Sequence, residues 1–143
     1  MGFRAFSERM ITDDGIKLYG AGKEILGYEF KIRYPSYRGA WISNIEKLEV
    51  AVDGEPVPLS DMRFGVNGKW FLMSELKDMY KEYWFTTTKA SIRVFKDGGL
   101  GESQEHQISV KMDHKIPYTG YFGKYLVIHS DCSKKLPVER SWP

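Results

Sequence analysis

Three histidines, one cysteine and several carboxylates are the side chains here that could do chemistry, so their spacing is the first thing to weigh. Asp113-His114 and His129-Ser130-Asp131-Cys132 bring possible metal ligands close together in the chain. Neither run has the ligand spacing that marks a zinc or similar site, and such neighbours arise by chance in most chains. Lys134 and Lys135 follow Cys132 and could lower its thiol pKa. A nucleophile would also need a positioned base and an oxyanion hole, and the sequence names neither. His106 falls on the apolar face of an alternating segment, where a hydrogen-bonded structural histidine is expected. Gly98-Gly99-Leu100-Gly101 is glycine-rich, but no helical pattern follows it, so a turn is expected and not a phosphate cradle. Neither a catalytic residue nor a metal site is expected in this chain. A self-contained small enzyme built on His129, Asp131 or Cys132 stays as the third reading.

A denser constellation lies at residues 33–41. Arg33, Tyr34, Tyr37, Arg38 and Trp41 occupy one connection between two strand-like segments. Tyr, Trp and Arg are the residue types that dominate interface hot spots, and loops on rigid scaffolds are where binding sits. A second aromatic loop, with Tyr118, Tyr121 and Phe122, is a further contact candidate. The chain is 15% aromatic, with four Trp and nine Tyr, more than a small two-layer core can hide. Some of these rings are expected to be buried only against a partner.

The elements that would carry these residues read as strands. Period-two alternation covers residues 16–19, 24–33, 46–52, 62–66, 69–72, 91–95, 105–112 and 121–130. Asn67-Gly68 suits a type I′ hairpin turn, since both residues tolerate positive φ. Asp53-Gly54 and Lys96-Asp97-Gly98-Gly99 are further turns. Residues 74–83 alone suggest a helix or helical turn, with Ser74 able to cap it and Glu75 in its first turn. The expected fold is all-β: an antiparallel β-sandwich with one short helical element. Residues 1–143 read as a single domain with a short N-terminal arm and an extended C-terminal tail from residue 136.

Bulk properties remove several classes. The net charge of +2, with both signs interspersed, leaves no basic stripe for nucleic acid. No apolar run approaches the roughly 18 residues of a membrane span. The first residues lack the apolar core of a secretory signal, and Phe6 stands where myristoylation wants Ser or Thr. With Cys132 as the only cysteine, no internal disulfide can form, which agrees with a reducing cytoplasm.

An ordered series of segments resembles the β subunits of C-glycoside deglycosidases. It runs from Gly27-Tyr28-Glu29-Phe30-Lys31-Ile32-Arg33 through Tyr37-Arg38-Gly39 to Ile45-Glu46-Lys47-Leu48-Glu49-Val50-Ala51-Val52-Asp53-Gly54-Glu55. Phe64, Trp70, Glu75-Leu76, Trp84 and Gly98-Gly99-Leu100 follow, so the likeness spans about residues 23–118. The resemblance implies a small β-sandwich subunit. Its partner would be a larger α subunit with a sugar-isomerase-like (β/α) barrel that holds a divalent metal, typically manganese, and the catalytic histidine. The complex would cleave the carbon–carbon bond between a sugar and an aromatic aglycone, as in flavonoid C-glucosides, after a separate oxidoreductase has made the 3-oxo sugar. The Arg33–Trp41 corner and the Tyr118–Phe122 loop would then pack on the α subunit, part of that surface edging the aglycone. The runner-up is a stand-alone carbohydrate-binding sandwich that uses the same rings to stack on sugars.

Overall fold

The computed structural model describes residues 4–102, 104–116 and 126–140. A single helical turn, α1 (Arg4–Ser7), opens the chain. The strands follow: β1 (Ile16–Ala21), β2 (Glu24–Ile32), β3 (Ala40–Trp41), β4 (Ile45–Val52), β5 (Glu55–Pro56), β6 (Met62–Val66), β7 (Lys69–Leu72), β8 (Tyr83–Trp84), β9 (Ala90–Phe95), β10 (His106–Ile116), β11 (Leu126–Leu136) and β12 (Val138–Arg140). They form a six-stranded sheet in the order β12-β1-β2-β9-β6-β7, a four-stranded sheet β11-β10-β4-β5, and a two-stranded ribbon β3-β8. Among the described residues the β1–β12 pair is the one parallel pairing. The fold is therefore the all-β antiparallel sandwich that the alternation implied.

Period two decides which side chains meet in the middle. Tyr28, Phe30 and Ile32 of β2, Ile92 and Val94 of β9, and Met62 and Phe64 of β6 point inward from one sheet. Leu48, Val50, Ile108, Val110 and Met112 answer from the other, and all belong to one buried cluster. Each such side chain contributes roughly 1.5–3 kcal/mol by leaving water. Leu26, which shares the β2 alternation, lies beyond the core and is half exposed.

Turn chemistry sets the registers. Asn67 (φ 55°) and Gly68 (φ 77°) take the left-handed conformations of a type I′ turn between β6 and β7. Asp53 (φ 52°) and Gly54 (φ 86°) do the same between β4 and β5.

The helix or helical turn expected over 74–83 is present as a 3₁₀ turn, Met73–Asp78, shorter than the expected span. Glu75, not Ser74, completes its start, its Oε1 accepting from the Leu72 N–H at 2.7 Å. The helix cannot continue because backbone elsewhere claims its carbonyls. Ser43 N–H donates to Met79 O and Ile42 N–H to Glu82 O, which leaves Tyr83 extended in β8. The last long strand, expected at 121–130, runs from Leu126 to Leu136; residues 121–125 lie outside the described residues. The tail is a strand as well. β12 adds to β1 in register Ile16↔Val138, and Ile16 N–H donates to Pro137 O at 2.9 Å.

Candidate functional site

β2 ends where Arg33 N–H donates to Met10 O at 2.7 Å, which pins the start of the 33–41 corner to the N-terminal arm. The chain then bends tightly, Ser36 N–H donating back to Tyr34 O. This bend divides the candidates. Tyr34 turns into the core and is 5% exposed, whereas Tyr37 is 49% and Trp41 44% exposed. Arg38 lies over the Tyr37 ring, 5.7 Å from its centroid. Gly39 is required by space. A Cβ there would sit 2.3 Å from Trp84 O, because the corner runs directly against β8. The ribbon then pairs Ala40 with Trp84 and Trp41 with Tyr83.

A chain of rings holds this edge. Phe64 of β6 meets Trp84 edge-on at 5.4 Å, Trp84 meets Tyr34 at 5.2 Å, and Tyr34 meets His114 of β10 at 5.0 Å. The stack crosses from one sheet to the other, and each contact is worth about 0.5–1.5 kcal/mol beyond area burial. Trp84 Nε1 donates to Thr88 O at 2.8 Å, so the deepest indole keeps its hydrogen bond. Tyr34 Oη and His114 Nδ1 share a hydrogen bond of 3.0 Å, with Ser130 Oγ at 3.5 Å from His114 Nε2. Burial lowers His114 to about 4 and raises the Tyr34 phenol. Both are neutral near pH 7, which is what a dry core allows. Tyr34 is thus a buried anchor of the corner and not an exposed contact ring.

On the outside, Trp41 packs edge-on against Tyr83 at 5.1 Å, and Tyr83 against Phe85 at 4.7 Å. Phe85 is 57% exposed. Beside this ridge lies an open cleft of about 350 Å3, walled by Tyr37, Arg38, Trp41, Tyr83 and Lys115. Arg33 faces away from it, into a smaller cleft against the N-terminal arm. Tyr118, Tyr121 and Phe122 lie outside the described residues. The sequence reading missed Tyr83 and Phe85. Their signal was the Tyr83-Trp84-Phe85 run, whose ends face out when its centre faces in.

The excess of aromatics has a second outlet that composition does not disclose. On the outer face of the six-stranded sheet, Arg93 stacks between Tyr19 (4.6 Å) and Trp70 (4.2 Å), and Arg63 lies 5.0 Å from Phe95. The Trp70 ring covers Gly65 and the Tyr19 ring covers Gly27. These rings are used within the chain by cation–π stacking.

The other candidates for chemistry are kept apart. His129 and Asp131 point out of β11 while Cys132 points in, its Sγ 3.6 Å from Glu8 O. Alternation forbids the three from meeting. His129 Nδ1 pairs with Asp113 Oδ1 at 2.6 Å on the open face of the four-stranded sheet. His106 is buried and both of its nitrogens are engaged, Nδ1 with Asp53 Oδ2 at 2.6 Å and Nε2 with Gly101 O at 2.9 Å. Among the described residues, no three His, Cys, Asp or Glu side chains converge to hold a metal ion.

The family model described as "C-glycoside deglycosidase beta subunit" matches residues 6–118. The chain is 30% identical to the 3'-dehydrocarminate deglycosidase beta subunit of a Microbacterium species over 135 residues, 94% of this chain and 96% of the relative. It is 33% identical to the C-glycoside deglycosidase beta subunit of Eubacterium cellulosolvens over 79 residues, 55% of this chain and 54% of the relative, so that match spans about half the relative's length. A third relative, the C-glycoside deglycosidase beta subunit of Microbacterium trichothecenolyticum, is 32% identical over 88 residues, 62% of this chain and 66% of the relative. The matched region contains the bend at Ser36, the β3–β8 ribbon and every strand up to β10, and this chain belongs to the C-glycoside deglycosidase beta subunit family.

Proposed function

We propose that this chain is the auxiliary subunit of a complex that cleaves the sugar–aglycone carbon–carbon bond of 3-oxo-C-glycosides. Its partner is a larger (β/α)-barrel subunit that carries the base and a divalent metal, manganese by this reading. The observation that carries the proposal is the exposed ridge of Tyr37, Arg38, Trp41 and Phe85, held rigidly by the ring stack beneath it. Apolar rings beside a cation, fixed on a ribbon, have the composition of an interface core.

Among the described residues, none of the side chains fits the metal. His106 has both ring nitrogens engaged, His114 is buried in the ring stack, and His129 is paired with Asp113 without a third ligand converging on it. No catalytic step is assigned to them. The reaction itself is an elimination. A carbonyl at C3 acidifies the proton on C2, a base removes that proton, and the aglycone at C1, β to the carbonyl, leaves with the bonding electron pair and takes up a proton. The products are the free aglycone and an unsaturated keto sugar. In this setting the cleft beside Trp41 and Lys115 would edge the aglycone, and the complex would work in the cytoplasm.

The test is co-expression with the larger subunit, read by size-exclusion mass and by turnover of a 3-oxo-C-glucoside. Trp41→Ala with Phe85→Ala is expected to weaken assembly by about tenfold or more, as loss of a central anchor does. Tyr37→Ala and Arg38→Ala variants that assemble and turn over as the parent would remove the corner from the interface. A lone monomer that binds sugars through Trp41 would replace the proposal with a carbohydrate-binding module.

A further inference from the structure

The corner has a second side, which shares Tyr37 with the docking ridge but turns Arg33 away from it. Ile11 bridges Ile32 and Arg33 N–H donates to Met10 O, so the N-terminal arm is laid antiparallel beside the end of β2. That pairing brings Arg9 and Arg33 to one cleft of about 220 Å3, with Ser36, Thr86 and Thr87 on its walls. Among the described residues, no Asp or Glu lines it. Among the described residues, neither guanidinium has a carboxylate partner. Elsewhere the chain pairs its cations readily, as Lys89 with Asp14, Arg93 with Glu29 and Arg140 with Glu102.

Ser36 is 5% exposed and lines this cleft beside Thr86 and Thr87. One wall is apolar. Phe6 and Tyr37 pack there with ring centroids 6.4 Å apart. Two guanidinium forks, hydroxyl donors and an aromatic wall together match a planar acid, its carboxylate taken by the arginines and its ring laid on the wall.

We infer that the cleft between the N-terminal arm and the 33–41 corner binds an aromatic carboxylate. The site shares Tyr37 with the proposed docking ridge, while its two arginines lie outside that ridge. It is tested on the full chain by titration with benzoate, followed by amide chemical shifts and calorimetry. Acetate and inorganic phosphate are the comparison probes, acetate standing for the Asp or Glu side chain of a docked protein. Benzoate is expected to bind several-fold more tightly than either. Arg33→Gln and Arg9→Gln should each weaken it by about tenfold, near 1.4 kcal/mol, with thermal melts showing that both variants fold. Binding should also weaken with salt, since the arginines are partly exposed. No benzoate binding at about 20 mM, a benzoate affinity unchanged in both variants, or acetate or phosphate binding as tightly as benzoate would each overturn the assignment.

Discussion

Asp53→Asn is the substitution that isolates the best-defined electrostatic device in the fold. His106 is 4% exposed and faces an oxygen acceptor at each nitrogen, Asp53 Oδ2 at 2.6 Å and Gly101 O at 2.9 Å. Only the doubly protonated ring can donate to both. Burial opposes that charge, but the hydrogen bonds to Asp53 and Gly101 and the Asp53 charge outweigh it and the repulsion from Lys96, so the pKa of His106 lies above its ordinary 6.5. Asp53 lies below its ordinary 3.8, first through the His106 hydrogen bond and then through the Gln107 N–H at 2.9 Å. A raised histidine stabilises the fold fully below 6.5 and loses that contribution as pH climbs through its folded pKa. A lowered aspartate stabilises above 3.8 and loses its contribution as pH falls through its folded pKa. The pair is therefore strongest between 3.8 and 6.5.

A hydrogen bond between charged groups contributes about 1.5–3 kcal/mol when shielded. The Asp53 side chain is half exposed, which brings the expected loss to about 1–2 kcal/mol. Asparagine is well suited to the left-handed φ of 52°, so the substitution adds no backbone strain. For a chain of 143 residues 1 kcal/mol moves the melting temperature by about 3 °C. At about pH 5.5 the variant should melt about 3–6 °C below the parent. Well above the folded pKa of His106, where the ring has lost its extra proton in both proteins, less than half of that gap should remain. Circular-dichroism melts at the two pH values, with the His106 ring titrated by NMR, make the measurement. Equal gaps at both pH values, or a His106 midpoint below 6.5 in the parent, would refute the reasoning.

Tyr34→Phe removes the 3.0 Å bond to His114 while keeping the ring in its stack, so urea denaturation should report a loss of about 1–2 kcal/mol; an unchanged midpoint would show that His114 finds another partner. Gly39→Ala drives a Cβ to 2.3 Å from Trp84 O and should separate β3 from β8, seen as a changed near-ultraviolet signal from Trp41 and Trp84 and a loss of about 2 kcal/mol or more. A chain ending at Leu136 loses β12 and uncovers the β1 edge, so it should aggregate at concentrations where the parent stays in solution, as light scattering would show.

Much of the fold was legible because its signal is local. Large apolar residues alternate in β2, β4, β6 and β9, and the positive-φ turns at Asn67-Gly68 and Asp53-Gly54 carry their own chemistry. The run of β11 past its expected end at residue 130 was hidden because its inward residues there include Ser130 and Cys132, small side chains that do not read as a core face. The helical turn expected over 74–83 ends early, at Asp78, although Leu76, Met79 and Tyr83 recur at helical spacing, because residues 42–43 pair with the rest of that segment. The tail read as an extended arm whose docking partner was hidden, because that partner, β1, lies more than a hundred residues earlier.

The candidate site divides in the same way. By itself the sequence determined that arginines, tyrosines and a tryptophan gather on one connection, since residue types and short spacings are properties of the chain. Which of them faces outward was decided by tertiary structure alone. Tyr34 is drawn inward because Trp84 and His114, brought from β8 and β10, offer it two ring faces and a hydrogen bond. Tyr37 and Trp41 stay outside because the core beneath them is already filled. Arg33 and Arg38 part company because the chain bends at Ser36 and the N-terminal arm bridges the end of β2. Burial depends on what arrives from distant strands, and no window of sequence contains that information.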